Sequence, residues 1–220
     1  MTTMTKTRPL RRLCRDRTGL AMMEFALAAP IMLIVMASGL EAANMALAVL
    51  KVHQIAATTA DNVARVRDSI SESDVNEALL GGVITGSSLD FANRGRIVVS
   101  DVMTNGQASP KTGQTILWQR CTGKLNTTES APAYGTQGKG ATDNSLQSMG
   151  KAPRSVSPSP DSVLVFAEVT YRYQPLISAT IFGTPILRSE SAFTVRERAS
   201  EPLTAGASGT VASVCTRYDL

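Results

Sequence analysis

Residues 20–40, LAMMEFALAAPIMLIVMASGL, decide how this chain is organised. Glu24 carries the only formal charge in the stretch. Because a helix rises about 1.5 Å per residue, a segment of this length is roughly as long as the hydrocarbon core of a bilayer is thick. We therefore predict a transmembrane helix over residues 20–42.

A strongly basic leader, residues 1–19, precedes this helix. It holds six Lys or Arg residues against Asp16, whereas the rest of the 220-residue chain holds 16 bases and 17 acids. The formal charge of +4 therefore belongs to the leader, and the nearly neutral body argues against a nucleic-acid binder. Basic flanks stay on the cytoplasmic side, so we expect the C-terminal body outside the inner membrane.

Two other interpretations of this region remain open. The apolar stretch also resembles a secretory signal peptide cleaved near Ala37 or Gly39, although such a core seldom carries a carboxylate in its first turns. Glu24 is either an interfacial charge favoured by the dipole at the helix N-terminus or a membrane charge kept for a function.

Residues 17–25, RTGLAMMEF, resemble the leader of type IV prepilin-like proteins, in which a basic segment ends in Gly and Glu plus an aromatic residue follow after four apolar positions. More narrowly, residues 24–30, EFALAAP, resemble the TadE-like pseudopilins of tight-adherence (Tad) pili. The resemblance implies that a prepilin peptidase cuts between Gly19 and Leu20. Glu24 then becomes the fifth residue of the mature chain, followed by Phe25.

The same resemblance implies partners rather than a substrate. They are the prepilin peptidase, an inner-membrane assembly platform, the major pilin, other pseudopilins and membrane lipid. It further implies a periplasmic head that reaches the pilus or cell surface after assembly, and a structural role in pilus biogenesis and adhesion. The alternative is an unprocessed single-pass membrane protein with a periplasmic binding or sensory domain.

Beyond the membrane segment, the sequence predicts an α+β protein. Val52, Ile55, Thr59 and Val63 recur at helical spacing, which predicts a helix extension over residues 43–70. A periplasmic head then occupies residues 71–220. Its first element is a short helix with an N-cap in the cluster Ser71–Asp74 and an end at the two glycines 81–82.

Alternating apolar and polar residues predict strands in the head. The clearest is 162–173, in which every second residue from 163 to 173 is apolar or aromatic and shares one face. The others are 96–103, 115–120, 191–196 and a short last strand at 211–215. We expect a small antiparallel sheet packed against the C-terminal part of the long helix.

Residues 122–160 differ from the rest of the head in composition. Gly, Pro, Ser and Thr supply 20 of the 39 residues, whereas Val, Ile, Leu, Met and Phe supply four. Because so few apolar residues cannot build a core of their own, we predict a long exposed loop.

The sequence offers no enzymatic constellation. A single His excludes a multi-His metal site. The glycine-rich run 135–140, GTQGKG, has the wrong spacing for a phosphate loop. Arg94 and Arg96 are interpreted as solvated charges, and His53 as a solvated or packing residue. We expect no catalytic residues, cofactor, metal, nucleic acid or small-molecule substrate.

The chain contains three cysteines. Cys14 lies in the leader and would be lost on cleavage, which leaves Cys121 and Cys215 in an oxidising compartment. They are either a disulfide that ties the C-terminal end to the strand ending at Cys121, or two buried free thiols.

Overall fold

The computed structural model describes residues 18–195 and 198–219, so most of the predicted leader lies outside the described residues. The chain divides into two units, one ending at Asn44 and the other beginning at Met45. Helix α1, Thr18–Ala64, contains every described residue of the first unit and supplies the first element of the second.

The part of α1 in the second unit buries one face. Its buried residues recur at intervals of three or four, as the sequence predicted: Ala48, Val52, Ile55, Ala56, Thr59, Ala60 and Val63. The helix ends at Ala64, short of the predicted extension over residues 43–70. The reason is a backbone reversal, because Asp68 has a φ of 60° and starts strand β1, Asp68–Ser71.

Helix α2, Glu72–Thr85, begins where the sequence predicted and ends later. Its first turn is closed by a capping box, in which the Ser71 N–H donates to Asp74 Oδ2 (2.9 Å) and the Asp74 N–H donates to Ser71 Oγ (3.4 Å). The predicted end at the two glycines is wrong. Gly82 lies inside the helix, where a Cβ would overlap Thr59 and Ile97, so the glycine is needed for close packing.

The centre of the head is a four-stranded antiparallel sheet in the order β3-β2-β4-β5, which confirms the predicted α+β fold. The predicted strands at 96–103, 115–120, 162–173 and 191–196 each coincide with one of these strands, although the last of them starts five residues earlier. The elements are β2 (Gly95–Thr104), β3 (Gln114–Thr122), β4 (Leu164–Arg172) and β5 (Ile186–Thr194), with the short helices α3 (Phe91–Arg94) and α4 (Ala179–Phe182).

A second sheet was not predicted from the sequence. Strand β1 pairs in parallel with β6, Arg198–Thr204. The predicted strand at 211–215 is wrong, since this segment forms no ladder. It is held instead by the disulfide, by a backbone bond from the Cys121 N–H to the Ser213 carbonyl (2.7 Å), and by side-chain hydrogen bonds, among them those of Asn76 with Val211 and Ser213.

The four-stranded sheet is covered on both faces. One face packs on α1 and α2 around Val99, Val165, Ala167 and Val169. The other face packs on a few residues of the segment 122–160, which is a largely exposed loop as predicted but is anchored to the sheet. Although its apolar residues are few, they are placed to reach the sheet: the second core joins Leu146 and Met149 to Val102, Ile116, Leu164 and Phe166.

Candidate functional site

The predicted cleavage site lies at the start of the described part of α1. Gly19 and Leu20 are both helical, and no described residue lies within 4 Å of a Cβ built on Gly19. A protease that needs extended backbone therefore has to unwind the helix at this point.

The first unit leaves its apolar side chains uncovered. Helix α1 is long and apolar enough to cross a membrane, and its most apolar window is buried nowhere. Such a surface is stable only against lipid or against other apolar helices. The large exposed side chains of residues 20–40 are Leu20, Met22, Met23, Phe25, Leu27, Ile31, Met32, Leu33, Ile34, Val35, Met36 and Leu40.

Glu24 lies within this surface. Side chains one turn away on a helix are three or four positions distant, and Leu20, Leu27 and Ala28 at those positions are apolar. Phe25, the next residue, is 71% exposed. Neighbours on the same helix therefore offer the Glu24 carboxylate no side-chain donor, and an apolar environment penalises an unpaired charge.

The two cysteines of the head form a disulfide, Cys121–Cys215, with Cα atoms 4.7 Å apart. Arg96 reinforces this junction, which sequence reasoning missed. Its guanidinium donates to the carbonyls of Cys215 (2.8 Å), Arg217 (2.6 Å) and Gly123 (2.8 Å). It also lies 4.0 Å from the centre of the Tyr218 ring.

The interpretation of Arg96 as a solvated charge is thus wrong, because its side chain is 2% exposed. Burial lowers the pKa of Arg96, while Tyr218 acts in the opposite direction. Arg94 does remain partly exposed and lies 3.6 Å from Asp90. The disulfide and Arg96 together fix the C-terminal segment to strands β2 and β3.

A carboxylate pair lies between the sheet and the segment 122–160. Glu168 on β4 is directly opposite Glu190 on β5. The Ala133 N–H donates to Glu168 Oε2 (2.9 Å), and the Tyr134 hydroxyl donates to Glu190 Oε1 (2.8 Å). Glu168 Oε1 is buried and has no hydrogen-bond partner.

Burial is the main cause that raises the pKa of Glu168 to about 7; the Ala133 N–H opposes it, and the Glu190 charge adds to it. Burial first, and the bond to Glu190 second, also raise the pKa of Tyr134. Among the described residues, no group of three or more His, Cys, Asp or Glu side chains is placed to hold a metal ion. The bonds from Ala133 and Tyr134 make the pair a contact between sheet and loop.

Glu72 and Arg120 form a partly buried ion pair that positions a helix on the sheet. The Arg120 Nε–H donates to both carboxylate oxygens of Glu72, at 3.0 and 2.8 Å, and Nη2 donates to Oε1. This bidentate contact ties the first turn of α2 to β3.

His53 lies on α1 beside β5. Its Nδ1 is 2.7 Å from the Ser189 hydroxyl, and its side chain borders an open groove. His53 is exposed and packs against β5 through this contact, which agrees with its interpretation as a solvated or packing residue.

Comparison with protein-family models, with curated proteins and with solved structures found no match for this chain.

Proposed function

We propose that this protein is a minor pseudopilin of the Tad type, a structural subunit without catalytic activity. One observation carries the proposal: the uncovered apolar stretch 20–40 has a single carboxylate, Glu24, five residues after a glycine that ends a basic leader. A simple membrane anchor needs the apolar length alone. A helix that leaves the bilayer to pack in a fibre needs a removable basic leader as well.

In this proposal Glu24 sets the register between subunits. Cleavage after Gly19 creates a free amine on Leu20, which lies one helical turn from Glu24. In a bundle of such helices the amine of one subunit also meets Glu24 of a neighbour. Because an unpaired charge is strongly penalised in a low-dielectric environment, one axial stagger is favoured over the others. The gain is specificity of register more than affinity.

The head then provides contacts with the other subunits. The expected partners are the prepilin peptidase, the assembly platform, the major pilin and companion pseudopilins. The proposed location is the bacterial inner membrane, with a cytoplasmic N-terminus and a periplasmic head before assembly.

The test is the N-terminus of the protein purified from its own cells. The proposal predicts a chain beginning at Leu20, and Gly19→Val should block this processing because a side chain crowds the approach of the protease. Gly39 is a second exposed glycine of the same helix, so Gly39→Val is the matched control and should be processed normally.

A second arm uses Glu24→Gln, which keeps the shape and removes the charge. We expect membrane insertion to remain and pilus incorporation to fall, with processing checked in parallel. A wild-type chain that retains residue 1 or 2 would instead support the unprocessed membrane protein with a binding or sensory head. A start near residue 38 would support a secreted form.

A further inference from the structure

Strand β5 forms one edge of the four-stranded sheet, and its hydrogen-bond register shows which backbone groups point outward. The Val195 N–H donates to the Val163 carbonyl (2.9 Å), and the Tyr173 N–H donates to the Pro185 carbonyl (2.9 Å). Bonded pairs in an antiparallel ladder alternate with non-bonded pairs. Odd-numbered residues of β5 therefore bond to β4, and Arg188, Glu190 and Ala192 direct their N–H and C=O groups away from it.

A groove of about 540 Å³ runs along this edge. Residues from both faces of the sheet line it, because His53 and Ser189 come from the helix side and Val156 and Phe166 from the side of segment 122–160. A groove that encloses a strand edge from both faces has the shape that an added strand requires. Its volume is in the range of natural ligand clefts.

The charged residues that line the groove are mostly cationic. Lys151, Arg154 and Arg188 line it against one carboxylate, Glu190, which already accepts the bond from Tyr134. Within the described part of the chain, neither Lys151 nor Arg154 forms an ion pair. Charges beside an open edge discourage pairing with uncharged strands, and a strand of opposite charge is selected instead.

We propose that the β5 edge is a docking site for an extended, acidic segment of another polypeptide, which adds to the sheet as a fifth strand. Its backbone bonds to Arg188, Glu190 and Ala192, and its carboxylates face the basic wall. The site lies entirely in the second unit, and the inference does not depend on the pseudopilin proposal.

Charge disfavours the occupants that this chain itself offers. The leader, residues 1–19, is basic and is repelled by the same wall. The opposite sheet edge of a second copy, β3, carries Arg120 as its only ionised side chain, so it offers the wall no carboxylate. The same edge of a second copy, β5, carries one base and one acid, so it brings no net negative charge. The partner that best complements the wall is therefore an acidic segment of a different protein.

The test uses the full-length chain in detergent micelles and a fluorescent peptide, acetyl-VEVEVE-amide. We expect saturable binding, whereas the basic analogue acetyl-VKVKVK-amide does not bind. An acidic peptide methylated on alternate backbone nitrogens keeps its charge and loses the donors that pair with the edge. Its affinity should fall about tenfold or more.

Variants of the protein test the same edge. Ala192→Pro removes an outward N–H without removing a bond to β4, and proline is tolerated at such edge positions. It should weaken the acidic peptide about three- to tenfold. Ala192→Ser, which keeps the N–H, is the matched control. Replacing Lys151 and Arg154 together by Glu should abolish the protection of the Glu190 and Ala192 amides by the acidic peptide.

Amide hydrogen exchange of the wild-type chain gives a readout that needs no variant. Bound peptide should slow exchange at Glu190 and Ala192 and leave Ser189 and Ser191, which already bond to β4, unchanged. Acidic peptides also bind basic leaders, so affinity alone does not decide. Binding that is insensitive to N-methylation and leaves the amides of Glu190 and Ala192 unprotected would overturn the proposal. The absence of binding at a peptide concentration of about 1 mM, on the order of the weakest specific dissociation constants, would overturn it as well.

Discussion

Replacing Glu168 by Gln should remove most of the pH dependence of the stability of the head between pH 5 and 8. Glu168 is 8% exposed, lies opposite Glu190, and has a pKa raised to about 7, mainly by burial. The folded protein therefore holds this proton more tightly than the unfolded chain does. The stabilisation is complete below about pH 4.5 and is lost as the pH rises through about 7.

The magnitude follows from the two pKa values. The interval from the ordinary value of 4.5 to about 7, at about 1.4 kcal/mol per pH unit, corresponds to about 3 kcal/mol. The carboxyl groups with lowered pKa, Glu129, Asp143 and Asp219, titrate below this window and act in the opposite direction. The wild-type free energy of unfolding should thus fall by about 3 kcal/mol from pH 4.5 to pH 8.

The assay is urea unfolding at a series of pH values, followed by the fluorescence of Trp118. This residue is the only tryptophan and is 2% exposed in the core of the head, so the signal reports unfolding of the head alone. Glu168→Gln keeps the acceptor for the Ala133 N–H and cannot ionise, so its stability should vary little across the window. Glu77→Gln, at an exposed position of α2, is the control and should keep the wild-type slope.

A wild type that loses no stability between pH 5 and 8 would contradict the assignment of this pH dependence to Glu168. A Glu168→Gln variant whose unfolding free energy changes with pH as in the wild type would contradict it too, since another group would then be responsible.

Two further predictions concern the junction at the C-terminal end. Replacing Cys121 and Cys215 by Ser should lower the free energy of unfolding by about 2–5 kcal/mol, because the disulfide closes a sequence separation of 94 residues. Dithiothreitol should destabilise the wild type by a similar amount and leave the double variant unchanged. Arg96→Met keeps the length of the side chain but leaves three carbonyls without their donor. The free energy of unfolding, measured by urea, should therefore fall by about 3 kcal/mol or more. An unchanged urea midpoint would show that water replaces the guanidinium.

The periodic pattern of apolar residues predicted the main strands and the buried face of the long helix. Period-two stretches located the four strands of the main sheet, and helical spacing located the buried stripe of α1. Strand β1, DSIS, has no such pattern and pairs with a strand about 130 residues later in the chain, so the sequence offered no signal for it. The end of α2 was misplaced because glycine was interpreted as a terminator, whereas Gly82 is required by close packing.

Composition alone did not predict which residues of the segment 122–160 contact the sheet, nor the burial of Arg96. In residues 122–160 the number of apolar residues suggested exposure, yet Leu146 and Met149 each meet an apolar partner on the sheet. Arg96 was misjudged because its three acceptors are backbone carbonyls, which no side-chain pattern reveals. One signal was present: Arg96 is followed by three apolar residues, IVV, as in a strand buried on both faces.

The chemistry of the N-terminal segment couples processing to assembly in the proposed function. Before cleavage the nitrogen of Leu20 is an uncharged amide, and the bases of residues 1–19 hold the segment at the cytoplasmic surface. Cleavage removes those charges and creates the amine in the same step. Only then does Glu24 gain a cation at the depth where its carboxylate lies, so an uncut chain cannot satisfy the register contact even with Glu24 intact. The order of events follows from the charges: the cut that releases the helix also makes it able to pair.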